Sequence, residues 1–473
     1  MATLLVLALL IRLATLGAYP LMDTTEARYA EMARKMVETG RWLMPQFDYG
    51  VPFWGKPPLS IWLTALSFRL LGVNEFAARL PTFMATLMMV GLVFSIARQH
   101  RGNNFGWGAS AVFITSAVTF VLAGAVLMDP VLALGTTLSM VAFWRAISGA
   151  HRLWGYLFFV GLAIGLLAKG PVALLLVGIP IGLWVMVHRQ WQLYRQRLPL
   201  ITGTLLMLAL SLPWYLLAER ASPGFLEYFL VGEHWKRFTQ PGWTGDLYGN
   251  AHRQAYGMIW WYALASVFPW SLAIPVVLLQ AKWRASLSTL IREPSRWGLY
   301  LILWMLAPLL LFTLSGNILY TYVYPGIPAF ALLAAEAWHS RTAPDTPTAW
   351  AIPLRIGLLT PFIFIAVLWS IVDIDRGKTE KNLIAQYLTL NHGLNSRLAY
   401  LHERPFSAEF YSNGKAIKLA SLDAMAVLLN DPQSAYFAVR HDERKNVLDR
   451  FGARLTEVGN NRRFVLFKKR FPS

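Results

Sequence analysis

Long apolar runs fix the kind of molecule this chain can form. Windows of roughly 17–22 apolar residues, enough for a helix to cross a bilayer, lie near 2–21, 79–97, 107–127, 130–148, 153–168, 171–187, 199–217, 258–279, 297–314, 317–337 and 350–372. They predict a polytopic α-helical membrane protein with about 11 transmembrane helices. Of the residues, 56% are hydrophobic and 14% charged, against about 25% charged in a soluble domain. Most of the chain is therefore expected to see lipid. Residues 1–19 resemble a signal peptide, but no small-residue cleavage site follows, so they are expected to remain as the first helix.

The net charge of +18 would raise the question of nucleic acid in a soluble protein. Here the Lys and Arg residues fall largely in short loops between apolar windows, and no nucleic-acid motif is present. The charge reads as topology and headgroup contact, with a share available to a phosphate-bearing substrate. The absence of cysteine excludes disulfides, Cys-ligated zinc and thiol catalysis. If the windows alternate, Arg98–Arg101, Arg145–Arg152, His188–Arg197, Lys282–Arg296 and Arg341 share one side, which the positive-inside rule makes cytoplasmic. Residues 22–78, Asp129, Lys169, the loop 218–257 and the segment 373–473 then share the outer side.

The outer loop 22–78 has structure of its own. Tyr29, Met32, Ala33 and Met36 recur at helical spacing over 24–39, with Glu31, Lys35 and Glu38 on another face and Gly40 as the stop. This amphipathic helix is expected to lie along the interface. Pro57 and Pro58 open a short apolar segment, 59–72, expected to lie flat or partly buried. The chain divides into a membrane catalytic domain, 1–372, and a small C-terminal α/β domain, 373–473. In the latter, Arg397–Leu401, Ala416–Leu419, Ala435–Val439 and Arg463–Phe467 read as strands, and Leu422–Leu429 and Glu443–Phe451 as helices.

Several residues carry chemistry. Asp23 and Glu26, with Arg28 and Tyr29, meet at a membrane surface, where charge must be solvated or paired. Asp23 with Glu26 has the form of a capping box, and equally supplies a general base or an electrostatic anchor for transfer to a hydroxyl. Asp129 before Pro130 is a good helix start, and shares the outer surface with Asp23. Lys56 in Gly55-Lys56-Pro57-Pro58, and Lys169 before Gly170-Pro171, either snorkel to headgroups or bind a phosphate leaving group. In Glu233-His234-Trp235-Lys236-Arg237-Phe238, Arg237 suits bidentate phosphate contact. His234 is of metal-ligand type, although one His beside one Glu is weak metal evidence. Tyr320, Tyr322 and Tyr324 form either an aromatic interface or a groove wall for a lipid chain.

Together these motifs resemble a family. D-x-T-E-A-R-Y-A-E from Asp23, G-K-P-P-L-x-x-W-L from Gly55, F-A-A-R-L-P, M-D-P-V-L, A-K-G-P-V-A-L, E-H-x-x-R-F and Y-P-x-x-P-A occur in order from residue 23 to about 335. The set is similar to that of bacterial GT-C glycosyltransferases related to aminoarabinose transferase and protein O-mannosyltransferases. The resemblance implies a sugar moved from a polyprenyl-phosphate donor to an extracytoplasmic acceptor, which is lipid A or another glycolipid, polysaccharide or protein. It implies Asp23 or Glu26 as catalytic carboxylate and Asp129 as a second acid. It places Arg28, Lys56, Lys169, His234 and Arg237 around the donor phosphate. It also implies a multi-pass protein of the bacterial inner membrane with a periplasmic active site, in contact with membrane lipids and not with nucleic acid. The family pattern has a carboxylate before the lysine of the K-P motif, where a metal binds. Here that position is Gly55, so no metal is predicted and no cofactor assigned, a divalent ion being left open. The rival reading is a lipid or solute transporter. Transporters keep ionisable sites near the bilayer midplane on broken helices, whereas these candidates cluster at span ends.

Overall fold

The computed structural model describes residues 1–279, 296–339, 351–374, 378–391 and 396–471. The chain is mostly helical, and every apolar window coincides with helix. Among the described residues, three helices are long and apolar enough to cross a membrane, namely Glu75–Arg101, Asp129–Ile147 and Leu200–Ala221. Several of the others are shorter or broken. The window 107–127 breaks at Ser116, between Asn103–Thr115 and Ala117–Leu122, and the window 258–279 breaks before Pro269. The two breaks answer each other, since Ala117 N–H donates to the Phe268 carbonyl at 2.8 Å. Irregular backbone is tolerated at membrane depth when it is satisfied inside the protein in this way. The basic loop Lys282–Arg296 lies almost wholly outside the described residues, as does Arg341.

Four early helices frame one end of the bundle: α1 (Ala2–Ala14), α2 (Thr25–Thr39), α3 (Leu59–Leu71) and α4 (Glu75–Arg101). A hairpin of β1 (Gln46–Asp48) and β2 (Val51–Pro52) lies between α2 and α3. Arg79, fully buried in α4, ties these pieces together. Its Nη1 donates to the carbonyls of Leu16 and Tyr19, and its Nη2 to that of Pro20. Its Nε and Nη2 bond the two oxygens of Glu26, each at 2.8 Å. Glu26 in turn accepts the Val126 N–H.

Farther along, Asp129–Ile147 and Leu153–Lys169 pack backbone to backbone. A Cβ at Gly161 would sit 2.4 Å from Ser139 Oγ, and one at Gly135 would sit 2.7 Å from the Gly161 carbonyl. Small residues at a helix crossing permit this approach in a membrane. It fixes Asp129, at the start of one helix, beside Lys169, at the end of the other.

The C-terminal residues form a five-stranded mixed sheet of β3 (Arg397–Leu401), β4 (Ala416–Leu419), β5 (Ala435–Arg440), β6 (Leu455–Asn460) and β7 (Phe464–Lys469), in the order β4-β3-β5-β7-β6. The first three pair in parallel and β7 runs antiparallel to its neighbours. Helices Leu422–Asn430 and Arg444–Phe451 cover one face, and Lys381–Asn391 and Phe406–Tyr411 the other. β6 and the latter two helices were not legible in the sequence.

This sheet unit grips the loop 22–78, which corrects the reading of α2. Glu31 and Lys35, expected on the other face of a helix lying along the interface, are fully buried. Lys35 pairs with Glu409 at 2.8 Å, and Arg34 forks onto Glu31. Arg404 reaches Asp48, Lys381 reaches Glu75, and Phe47 packs on Phe406. The amphipathic helix therefore lies between membrane helices and sheet unit, not on an open interface.

Replacing Arg79 with Met should lower stability in detergent by about 3–5 kcal/mol, because Glu26 is left buried without its counter-ion. The double variant Arg79→Met/Glu26→Gln should recover part of that loss, as read by thermal unfolding.

Candidate active site

A cavity of about 640 Å³ opens where these elements meet. Its wall includes the segment 22–29 at the start of α2, Gly55-Lys56, Asp129, Lys169, the loop residues Glu233, Arg237 and Asp246, and the tyrosines Tyr320 and Tyr322. Val121, Phe364, Val367 and Leu368 make another side apolar. A smaller hollow of about 90 Å³ continues past Lys169 and Arg237 toward Leu176 and Phe312. The cavity is thus charged on one side and greasy on the other.

The charges are paired across elements. Lys169 donates to Asp129 Oδ1 at 2.7 Å, and its ammonium lies 4.3 Å from the Tyr322 ring centre. Among the described residues, none donates a hydrogen bond to Asp129 Oδ2. Lys56 donates to Glu233 at 2.7 Å, and Arg237 Nη1 bonds both Glu233 and Asp246. Burial would raise the Glu233 carboxyl, but Lys56 and Arg237 outweigh it and hold it down at about 2. Glu233 and His234 stand on a π-helix, Glu227–Lys236, a form found mostly at functional sites. Its wide turn sets His234 Nδ1 against the Phe229 carbonyl at 2.8 Å, while Nε2 faces the Lys169 carbonyl at 3.1 Å.

Among the described residues, three buried polar atoms on this wall have no hydrogen-bond partner, namely Arg28 Nε, Arg237 Nε and Thr321 Oγ1. Buried donors are normally satisfied. An anion entering the cavity would meet them together with Lys56 and Lys169.

Comparison with known proteins agrees with this geometry. Residues 2–229 match the family model described as dolichyl-phosphate-mannose-protein mannosyltransferase. An undecaprenyl phosphate-alpha-4-amino-4-deoxy-L-arabinose arabinosyl transferase of Edwardsiella ictaluri is 31% identical over 342 residues, 70% of this chain and 58% of that protein. One from Pseudomonas fluorescens is 33% identical over 323 residues, 66% of this chain and 52% of its own length. The crystal structure of ArnT from Cupriavidus metallidurans bound to undecaprenyl phosphate superposes with a TM-score of 0.80 at 20% identity, covering 98% of this chain and 97% of that one. The chain has the GT-C membrane fold and is similar in sequence to these glycosyltransferases. Its match spans little more than half the length of the two curated relatives.

Within this GT-C fold, Asp23, Glu26, Arg28, Lys56, Asp129, Lys169 and Arg237 reach the cavity wall and His234 lines only the smaller hollow, yet not all are free to act there. Asp23 turns its carboxylate away toward the sheet unit. Oδ1 accepts the Ser407 N–H, and Oδ2 accepts Ser407 Oγ–H at 2.5 Å and Arg463 Nη1 at 2.8 Å. Glu26 is held by Arg79. The capping box does not form, since Thr24 is the N-cap of α2 and no side chain caps it. Asp129 is likewise the first helical residue and not a cap. Arg28 donates to the Tyr248 carbonyl at 2.7 Å. His234 is a strut. Burial lowers its basicity, with Lys56 adding to that, and a neutral ring donates only one of its two bonds. Both ring nitrogens are thus turned to backbone carbonyls, of Phe229 and Lys169.

The same bonds decide how well a divalent ion fits. Glu233 is spent on Lys56, Arg237 and the Tyr228 hydroxyl, and His234 on two carbonyls. Among the described residues no three His, Asp or Glu side chains could share an ion. This wall does not suit a metal. Sequence reasoning passed over Asp246, Thr321, Arg79 and Arg463. Arg79 had a signal, being a lone arginine in the apolar run F-A-A-R-L-P. Arg463 had none, because its partner lies 440 residues away.

Beside Asp23, Glu380 is pushed up to about 7, first by burial and further by the Asp23 charge, against the pull of Arg463. A carboxyl raised above its unfolded value of 4.5 contributes stability that is present below that pH and lost as pH rises through about 7. Hydrogen exchange at residues 21–24 and 378–381 should therefore quicken between pH 5 and 8, and Glu380→Gln should flatten the profile.

Proposed function

We propose that this protein transfers a sugar from a polyprenyl phosphate to a hydroxyl of an extracytoplasmic acceptor. The observation that carries the reading is the cavity itself, in which Arg28, Lys56, Lys169 and Arg237 gather beside an apolar wall, with buried donors left open. A lipid phosphate has this dual character, with a chain that needs the apolar side and a phosphate that needs the cations. The curated relatives, named as undecaprenyl phosphate aminoarabinose transferases, favour such a donor. The reading includes about 11 spans, the cavity at the periplasmic side, and a C-terminal domain over 373–473.

Asp129 is the carboxylate we assign to the chemistry. It lines the cavity, Lys169 fixes one oxygen, and the other is open. In this scheme the acceptor oxygen attacks the anomeric carbon while the bond from that carbon to the phosphate oxygen breaks. The acceptor proton passes to Asp129 Oδ2, and polyprenyl phosphate leaves against Lys56, Arg237 and Arg28. Cations placed where charge grows lower the barrier most when they are already positioned and dry. Asp23 and Glu26 shape the wall by holding the segment between them. A transporter would move its lipid without breaking this bond.

The test is transfer by purified protein from a radiolabelled polyprenyl-phosphate sugar. Asp129→Asn should cut kcat about 10²–10⁴-fold, the usual worth of a general base, with donor binding kept. Arg237→Gln should weaken both kcat and donor binding. Asp23→Asn should lose less than Asp129→Asn, and full activity in Asp129→Asn would refute the assignment.

A further inference from the structure

A second basic hollow lies at the opposite end of the bundle. Helices Asp129–Ile147 and Leu153–Lys169 both have one end at the cavity. With 19 and 17 residues, they carry the chain about 25–28 Å away from it at 1.5 Å per residue. That distance is close to the hydrocarbon thickness of a bilayer. There the turn between them and the short helix Trp191–Arg197 enclose a hollow of about 520 Å³. His151, Arg152, Arg195, Gln196 and Arg197 line it over a floor at Leu198.

One feature separates this hollow from an ordinary basic loop. The positive-inside rule accounts for arginines on a face, but not for three of them around one concavity. Among the described residues Arg152, Arg195 and Arg197 form no ion pair, whereas Lys56, Lys169, Arg237, Arg79 and Arg463 at the other end all do. Arg145, in the same region, is already used. It stacks 4.3 Å over Trp154 and donates to the Ser95 carbonyl.

His151 adds a donor. Its Nδ1 accepts the Leu153 N–H, so the neutral ring carries its proton on Nε2. Trp191 is half exposed close by, beside Tyr194, and such rings settle at headgroup level. The hollow therefore opens where lipid phosphates lie, and among the described residues it presents donors and positive charge with no carboxylate in its lining.

We propose that this hollow binds the phosphate headgroup of an anionic membrane lipid, in the leaflet opposite the cavity. Arg152, Arg195 and Arg197 hold the phosphate oxygens, and the acyl chains run along the helix surfaces. The proposal does not depend on the sugar-transfer reading.

Native mass spectrometry of the whole protein, with phosphatidylglycerol, phosphatidylcholine or inorganic phosphate added, tests it. Phosphatidylglycerol should be retained over phosphatidylcholine, and the triple variant Arg152→Gln/Arg195→Gln/Arg197→Gln should lose that preference about a hundredfold. The matching triple Lys variant should recover part of it. Arg98→Gln/Arg189→Gln, on the same face but outside the hollow, should keep it. Equal retention of the two lipids, or an equal loss in the Arg98/Arg189 variant, would overturn the proposal. Displacement of the lipid by inorganic phosphate at equal concentration would overturn the assignment to a lipid.

Discussion

The bond between Arg79 and Glu26 is the constraint on which the cavity end of the bundle depends. A guanidinium buried this deeply must have its donors filled. Arg79 fills them with Leu16, Tyr19 and Pro20 carbonyls and both Glu26 oxygens. Those bonds join the end of α1, the start of α2 and the middle of the fold at Val126. The segment that lines one side of the cavity hangs between them. A second set of bonds, from Asp23 to Ser407 and Arg463, ties the same segment to the sheet unit. Asp23 and Glu26, the acids that look most chemical in the sequence, thus spend their oxygens on these bonds. Among the described residues, Asp129 keeps one oxygen without such a bond beside the cations.

Charge compensation explains the rest of the wall. In a poorly solvated site each ion needs a partner, and Glu233 serves two cations at once. This keeps Lys56 and Arg237 charged and aimed without an anion present. A phosphate would enter a site already organised for negative charge, which limits reorganisation during reaction. The π-helical turn and the close glycine-lined helix crossing are backbone devices toward that end, one placing Glu233 and His234 and the other pairing Asp129 with Lys169.

How much of this was legible in the sequence follows from the range of each interaction. Apolar windows depend on local composition, and each of them became helix. The ends of β3 and β4 coincide with the expected ones because alternation and flanking turns are local too. The ordered motifs brought out most of the residues now seen around one cavity. The failures are long-range. Glu31 and Lys35 read as the other face of a helix lying along the interface because nothing nearby shows that Glu409 and Arg404 will cover them. Asp23 with Glu26 read as a capping box because Arg79 and Arg463 are 53 and 440 residues distant. A metal was left open on a His beside a Glu, and only the fold shows both already bonded.

The central claim is that a lipid phosphate sits against the cations of this cavity. A structure of the protein with a non-hydrolysable polyprenyl-phosphate sugar bound would test it most directly. The account predicts the phosphate within hydrogen-bond reach of Lys56 and Arg237, the isoprenoid chain along Phe364 and Leu368, and the sugar beside Asp129. A donor bound elsewhere, or seated with its sugar away from Asp129, would contradict it.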